Sequence, residues 1–146
     1  MRSVANLIFF IDAVHLMRIH MPRFEVFSSG VLIGHSELES GDPPMGIAEG
    51  RFLALPAYDA LRISVLASQD GSQNDLSHAV RKSNAPDLEP EGPIQITDYC
   101  ADLGPDGLEI AVCGIPYPLY EELFPELVAS YRNQFGKSPS DAPRRP

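Results

Sequence analysis

A chain of 146 residues, 44% hydrophobic and 21% charged, has the size and composition of one packed domain; it is too apolar for global disorder and too short for a second independent core. Its formal charge of −9 sets it against nucleic acid and anionic membrane surfaces, since the adjacent basic pairs, Arg81-Lys82 and Arg144-Arg145, are too short to grip a polyanion. A basic protein is the partner such a charge favours.

Residues 1–20, MRSVANLIFFIDAVHLMRIH, read as a leader distinct from the rest of the chain. With Asp12 at its centre the run falls short of the roughly 20 apolar residues that span a bilayer. As a secretory signal it offers only Leu7 to Ile11 as an apolar core and no small-residue cleavage site. The readings that remain are a translation start at Met21, a short amphipathic helix, or a weak targeting segment. The domain itself is expected over 21–137.

Phe24, Val26, Leu32, Ile33 and Leu38 stand on either side of Ser28-Ser29-Gly30, which predicts a hairpin. Ser40 to Gly46 holds consecutive prolines, which forbid both helix and ladder, so a rigid loop is expected there that could serve as a binding loop through Met45. A third extended segment is expected from Gly46 to Leu55, interrupted at Gly50. Pro56 to Arg62 suits a helical turn or two, and Ile63 to Ala67 a strand. The Ser-, Asn-, Gln-, Gly- and Pro-rich stretch 68–93 predicts a mobile loop region.

Ile94 to Gly114 reads as the strongest hairpin, turning at Gly104-Pro105-Asp106-Gly107. A symmetric register places Tyr99, Ala101, Leu103, Leu108, Ile110 and Val112 on one face and Ile94, Ile96, Cys100, Ala111, Cys113 and Ile115 on the other. Cys100 then faces Ala111 and Cys113 faces Asp98, leaving the thiols about 7–8 Å apart on a diagonal, too far for a disulfide unless a bulge shifts the register. Two reduced thiols fit a cytoplasmic protein. Leu119, Tyr120, Leu123, Phe124, Leu127, Val128, Tyr131 and Phe135 then recur at helical spacing, with Pro125 either kinking one helix or starting a second, Gly136 as cap, and 138–146 as a disordered tail. The fold these elements predict is α+β: a mostly antiparallel sheet of meander hairpins with the C-terminal amphipathic helix packed on one face.

For function the most informative stretch lies between Lys82 and Arg132, which holds ten carboxylates and not one Lys or Arg. Asp102, Asp106, Glu121, Glu122 and Glu126, with Tyr117 and Tyr120 as aromatic area, are the candidate partner-binding residues. For the tyrosines, core packing is an equally physical reading. In size and charge the chain resembles toxin-neutralising immunity proteins. The alternative is a small-molecule-binding or enzymatic domain with a pocket beside 68–93 and chemistry from His35, Asp98 or Tyr99.

No motif assigns a catalytic residue, a metal or a cofactor. His35, Glu37 and Glu39 alternate along a strand, but at about 6.5–7 Å intervals they are too widely spaced to share one ion unaided, and a solvated strand face explains them as well. The four histidines, His15, His20, His35 and His78, accompany no nucleophile-elbow pattern, and Gly46 to Gly50 lacks the lysine of a phosphate-binding loop.

Overall fold

The structure, a computed structural model, describes residues 23–136 and Pro139. The leader at 1–20 and, Pro139 apart, the tail at 138–146 lie outside the described residues. Chain order begins with strands β1 (Phe24–Ser28) and β2 (Val31–Ser36), joined by Ser29 and Gly30, both at positive φ (47° and 80°), the paired left-handed residues of a two-residue hairpin. A bulge between Val26 and Phe27 shifts the register, so Val26 faces Gly34 and Phe27 faces Leu32.

The chain then leaves this sheet. Leu38 is buried at φ 47°, an uncommon conformation for leucine, and the Ser36 hydroxyl accepts its N–H at 3.1 Å. β3 (Ser40–Asp42), a 3₁₀ turn over Pro43–Met45, and β4 (Ile47–Arg51) form a second hairpin. Phe52, buried between Arg51 and Leu53, carries the chain straight back to the first sheet as β5 (Leu53–Ala54). A 3₁₀ turn at Pro56–Ala60, helix α1 (Arg62–Ala67), a 3₁₀ turn at Asn74–Leu76 and β6 (His78–Lys82) come next. β7 (Ile94–Asp98), α2 (Cys100–Leu103), the 3₁₀ turn Gly104–Gly107, β8 (Leu108–Val112), α3 (Leu119–Leu123) and α4 (Pro125–Phe135) complete the described chain.

The class is α+β, with two four-stranded antiparallel sheets ordered β5-β2-β1-β6 and β3-β4-β8-β7. The sequence predicts one sheet of meander hairpins; the passage through Phe52 divides the strands between two. Their inner faces share a single core. Phe24, Val26, Ile33 and Val80 come from one sheet, Ala48, Ile96, Ile110 and Val112 from the other, and Tyr120, Leu123, Phe124 and Val128 from the helices. Phe24 stacks on Phe124 at 5.6 Å, which seats the helix pair on β1. Pro125 opens α4 at its first position, where its missing N–H costs nothing, so the apolar stripe is two helices rather than one kinked rod.

Other expectations are corrected as well. Ser40–Asp42, expected within a loop that bars a ladder, pairs with β4 as β3, and the extended run passes through Gly50 and breaks at Phe52. Ile63–Ala67 is helical, because Leu61 and Val65, four residues apart, turn inward while Ile63 is 80% exposed. The 94–114 ladder stops at Asp98 and Leu108, since the Tyr99 N–H bonds the Gly107 carbonyl at 2.8 Å and closes a longer connection. Ala111 therefore faces Gln95 rather than Cys100. Cys113 lies beyond the Ile94–Val112 pair, far along the ladder from Asp98, and both thiols are free. Tyr99 and Leu103 are exposed and outside the strand face assigned to them.

A further correction concerns 68–93. Its glutamines seal the outer edge of β7: the Gln73 amide donates to the Ile96 carbonyl at 2.8 Å and its oxygen accepts the Ile96 N–H at 2.9 Å, while Gln69 accepts the Asp98 N–H. Gln95 in turn reaches the backbone carbonyls of Gln69 and Gly71 at 3.3 Å. A polar stretch that reads as loop is thus tied to a strand whose unpaired groups would otherwise invite another strand.

Candidate functional site

Arginines from elsewhere in the chain enter the acidic stretch. Arg51 pairs with Asp106, Arg62 with Asp98 at 3.2 Å, Arg81 with Asp87 at 3.9 Å, and Arg132 with Glu121 at 2.9 Å. The one-signed run is one-signed in sequence only. Among the described residues, Glu89, Glu91, Asp102, Glu109, Glu122 and Glu126 of that stretch have no such partner.

Asp98 differs from every other carboxylate in the stretch because it is buried. Tyr58 donates to its Oδ2 at 2.8 Å, Arg62 donates to the same oxygen, and the Cys100 N–H donates to Oδ1 at 3.0 Å. Burial pushes the carboxyl upward, but these donors outweigh it and hold Asp98 below the usual carboxylate range. Burial, then the hydrogen bond to Asp98 and its charge, drive the phenol of Tyr58 and the thiol of Cys100 upward, so neither ionises near neutrality. Arg62 also lies over the Tyr58 ring at 5.3 Å. The cluster joins the 3₁₀ turn at Pro56–Ala60 and α1 to the end of β7, with both Asp98 oxygens engaged by that junction.

The open site lies on the second sheet. A groove of about 290 Å³ is lined by Glu39, Ser40, Glu49, Arg51, Asp106 and Glu109, with Gly50 as floor. Glu39 lies across Gly50, where any side chain would collide with its carboxylate, and accepts the Arg51 N–H at 2.9 Å. Four carboxylates thus line one groove with a single guanidinium, which pairs with Asp106. The register that gathers them is β4 on β8, with Glu49 opposite Ala111 and Arg51 opposite Glu109. Such a surface attracts cationic groups and repels phosphates.

Of the sequence-predicted site residues, Asp106 lines this groove and Asp102, Glu122 and Glu126 are exposed elsewhere, on α2, α3 and α4. Glu121 is half-exposed and occupied by Arg132. Tyr120 is a correction: it is fully buried and its hydroxyl donates to the Ile47 carbonyl at 2.8 Å, so it offers no surface to a partner. Tyr117 is half-buried and donates to the Pro43 carbonyl at 2.8 Å, with burial and then the Glu121 charge pushing its phenol up to about 12. Tyr117 thus fastens the Pro43–Met45 turn, and Tyr120 the start of β4 that follows it.

Glu39, Glu49, Arg51 and Glu109 are site residues that sequence reasoning misses. Strand alternation puts Glu49 and Glu109 on solvent faces, but only the pairing of β4 with β8 makes them neighbours. His35 sits on β2 opposite Glu25, and the turn at Leu38 breaks the alternation that would align it with Glu37 and Glu39. Among the described residues no three His, Cys, Asp or Glu side chains gather at metal-binding distance, and none of their helices is long and apolar enough to cross a membrane. Neither His35, Asp98 nor Tyr99 lines the groove. Comparison with protein-family models, with curated proteins and with solved structures finds no match.

Proposed function

We propose that this chain is a small acidic interaction module that docks a basic protein, in the manner of a toxin-neutralising immunity protein. The observation that carries the reading is the groove lined by four carboxylates, Glu39, Glu49, Asp106 and Glu109, and only one arginine. Folding leaves these charges on the surface while it consumes Asp98 internally, and carboxylates carried on a paired sheet present a one-signed surface that steers a cationic partner. No step of chemistry is required of them. The test is capture from native lysate on the immobilised full chain, washed at low and at high salt. Basic proteins held at low salt and released at high salt, with retention lost in a Glu49→Lys, Glu109→Lys variant, are the expected result. Retention indifferent to salt and to these reversals contradicts the proposal.

A further inference from the structure

The second sheet buries one face and leaves the other without cover. On its inner face Ala48, Ile96, Leu108, Ile110 and Val112 are all in the core. On the outer face, cross-strand register builds three rows. Asp42 faces Ile47, and continuing the β4–β8 register brings Cys113 beside Ile47; the second row is Ser40, Glu49, Ala111 and Gln95; the third is Arg51, Glu109 and Thr97. None of these side chains is buried. Segment 68–71 reaches Gln95 at the β7 side, so the uncovered part is β3, β4 and β8.

Three observations define what would cover it. Ile47, Ala111 and Cys113 are adjacent and half-buried, a small apolar strip in the middle of a polar sheet face. Carboxylates border that strip: Asp42 and Glu49 on β3 and β4, Glu109 on β8, with Glu39 and Asp106 at the groove end and Arg51 already paired. At the opposite end the Pro43–Met45 turn is held rigid, by the Tyr117 and Tyr120 hydroxyls and by the Ile115 N–H on the Gly46 carbonyl at 2.8 Å, and it presents Met45 at 47% exposure. An apolar centre with an acidic rim and a preorganised thioether contact is complementary to a segment of the opposite charge that brings its own small aliphatic groups.

We infer that the outer face of β3, β4 and β8, from the groove at Arg51 to the tip at Met45, docks a protein segment carrying arginine or lysine beside small aliphatic side chains. The inference rests on the interaction reading above and specifies its surface. Cations of the partner meet Glu49, Glu109 and Asp42, and its aliphatic groups lie on Ile47 and Ala111. Tyr120 and Tyr117 act as positioning residues that hold the tip.

The test uses the full chain and a short fluorescein-labelled peptide rich in arginine and valine, titrated at low salt and read by fluorescence anisotropy. Ala111→Arg and Glu49→Lys each weaken binding about tenfold or more, because they place a cation and bulk at the centre of the face. Glu122→Lys, on α3, leaves affinity within about twofold when the titration is repeated at about 0.15 M salt, where screening confines a remote surface charge to about 8 Å. Thermal unfolding confirms that the variants remain folded, and Glu109→Gln repeats the loss without a change of shape. Equal losses from Glu122→Lys and Glu49→Lys overturn the assignment to this face and leave the interaction reading standing. Absence of saturable binding by the unsubstituted chain at low salt overturns both.

Discussion

Asp98 and Asp106 belong to the same acidic stretch, each with an arginine from earlier in the chain, yet they sit in opposite regimes. Asp98 closes the β7 end of the second sheet: its side chain is 3% exposed and three donors converge on it. Asp106 sits on the open side, 75% exposed, facing Arg51 alone. Burial, rather than charge or sequence neighbourhood, decides which carboxylate is locked into the fold and which stays exposed to solvent. At the closed end, polar groups are matched within the chain. On the open face Asp106 keeps one exposed arginine, and the Glu49 and Glu109 carboxylates face solvent without an ion-pair partner among the described residues.

The largest effect that can break this contrast is Asp98→Ala. It strands the Tyr58 hydroxyl and the Cys100 N–H and frees a half-buried guanidinium, with an expected loss of about 3 kcal/mol, measured by chemical denaturation. A loss below about 1 kcal/mol would place Asp98 in the same class as Asp106. Next comes Gln73→Ala, which leaves the Ile96 N–H and carbonyl on the β7 edge unpaired; about 2 kcal/mol is expected, together with faster amide exchange at Ile96 and concentration-dependent light scattering.

Acid sharpens the contrast further. His78 donates through Nε2 to Gln73 at 3.0 Å, its Nδ1 is buried with no partner, and burial lowers its pKa from the ordinary 6.5. The unfolded chain therefore takes this proton at higher pH than the folded one. The contribution to stability is complete above 6.5 and drains as pH falls from 6.5 toward the folded value; Asp98 adds a separate loss below its ordinary 3.8, as pH falls through its depressed folded pKa. Thermal midpoints across this range should fall below 6.5, with a shallower slope in His78→Leu, and His35, lowered in the same direction by burial, supplies the remainder. The smallest effect is Asp106→Asn. An exposed pair contributes well under about 1 kcal/mol, so denaturation should barely register it.

Much of the fold is legible where the deciding interactions are local. The Ser29-Gly30 hairpin, the Pro43-Pro44 turn, the helical turn at Pro56 and the apolar stripe split at Pro125 all arise from residues within a few positions of one another. The illegible part depends on distant pairing. The division into two sheets turns on Phe52, whose side chain reads as one more apolar residue in an extended run. The glutamines of 68–73 carry no apolar pattern, so their hold on β7 looks like loop composition. Arg51 and Arg62 are remote in sequence from Asp106 and Asp98, and Arg81 and Arg132 stand just outside the ends of the stretch, which is why ten carboxylates read as one field. Charge alone identifies Asp106, whereas Glu49 and Glu109 need the β4–β8 register, and Tyr120 is misplaced because helical spacing cannot tell an interface tyrosine from a core one.

The most direct measurement is residue-resolved amide NMR of the full chain during titration with the arginine- and valine-rich peptide at low salt. Saturable shifts confined to Asp42, Ile47, Glu49, Glu109 and Ala111, with Asp98 and its neighbours silent, are the expected result. Shifts centred on Asp102, Glu122 and Glu126, or spread over every exposed carboxylate alike, would contradict it.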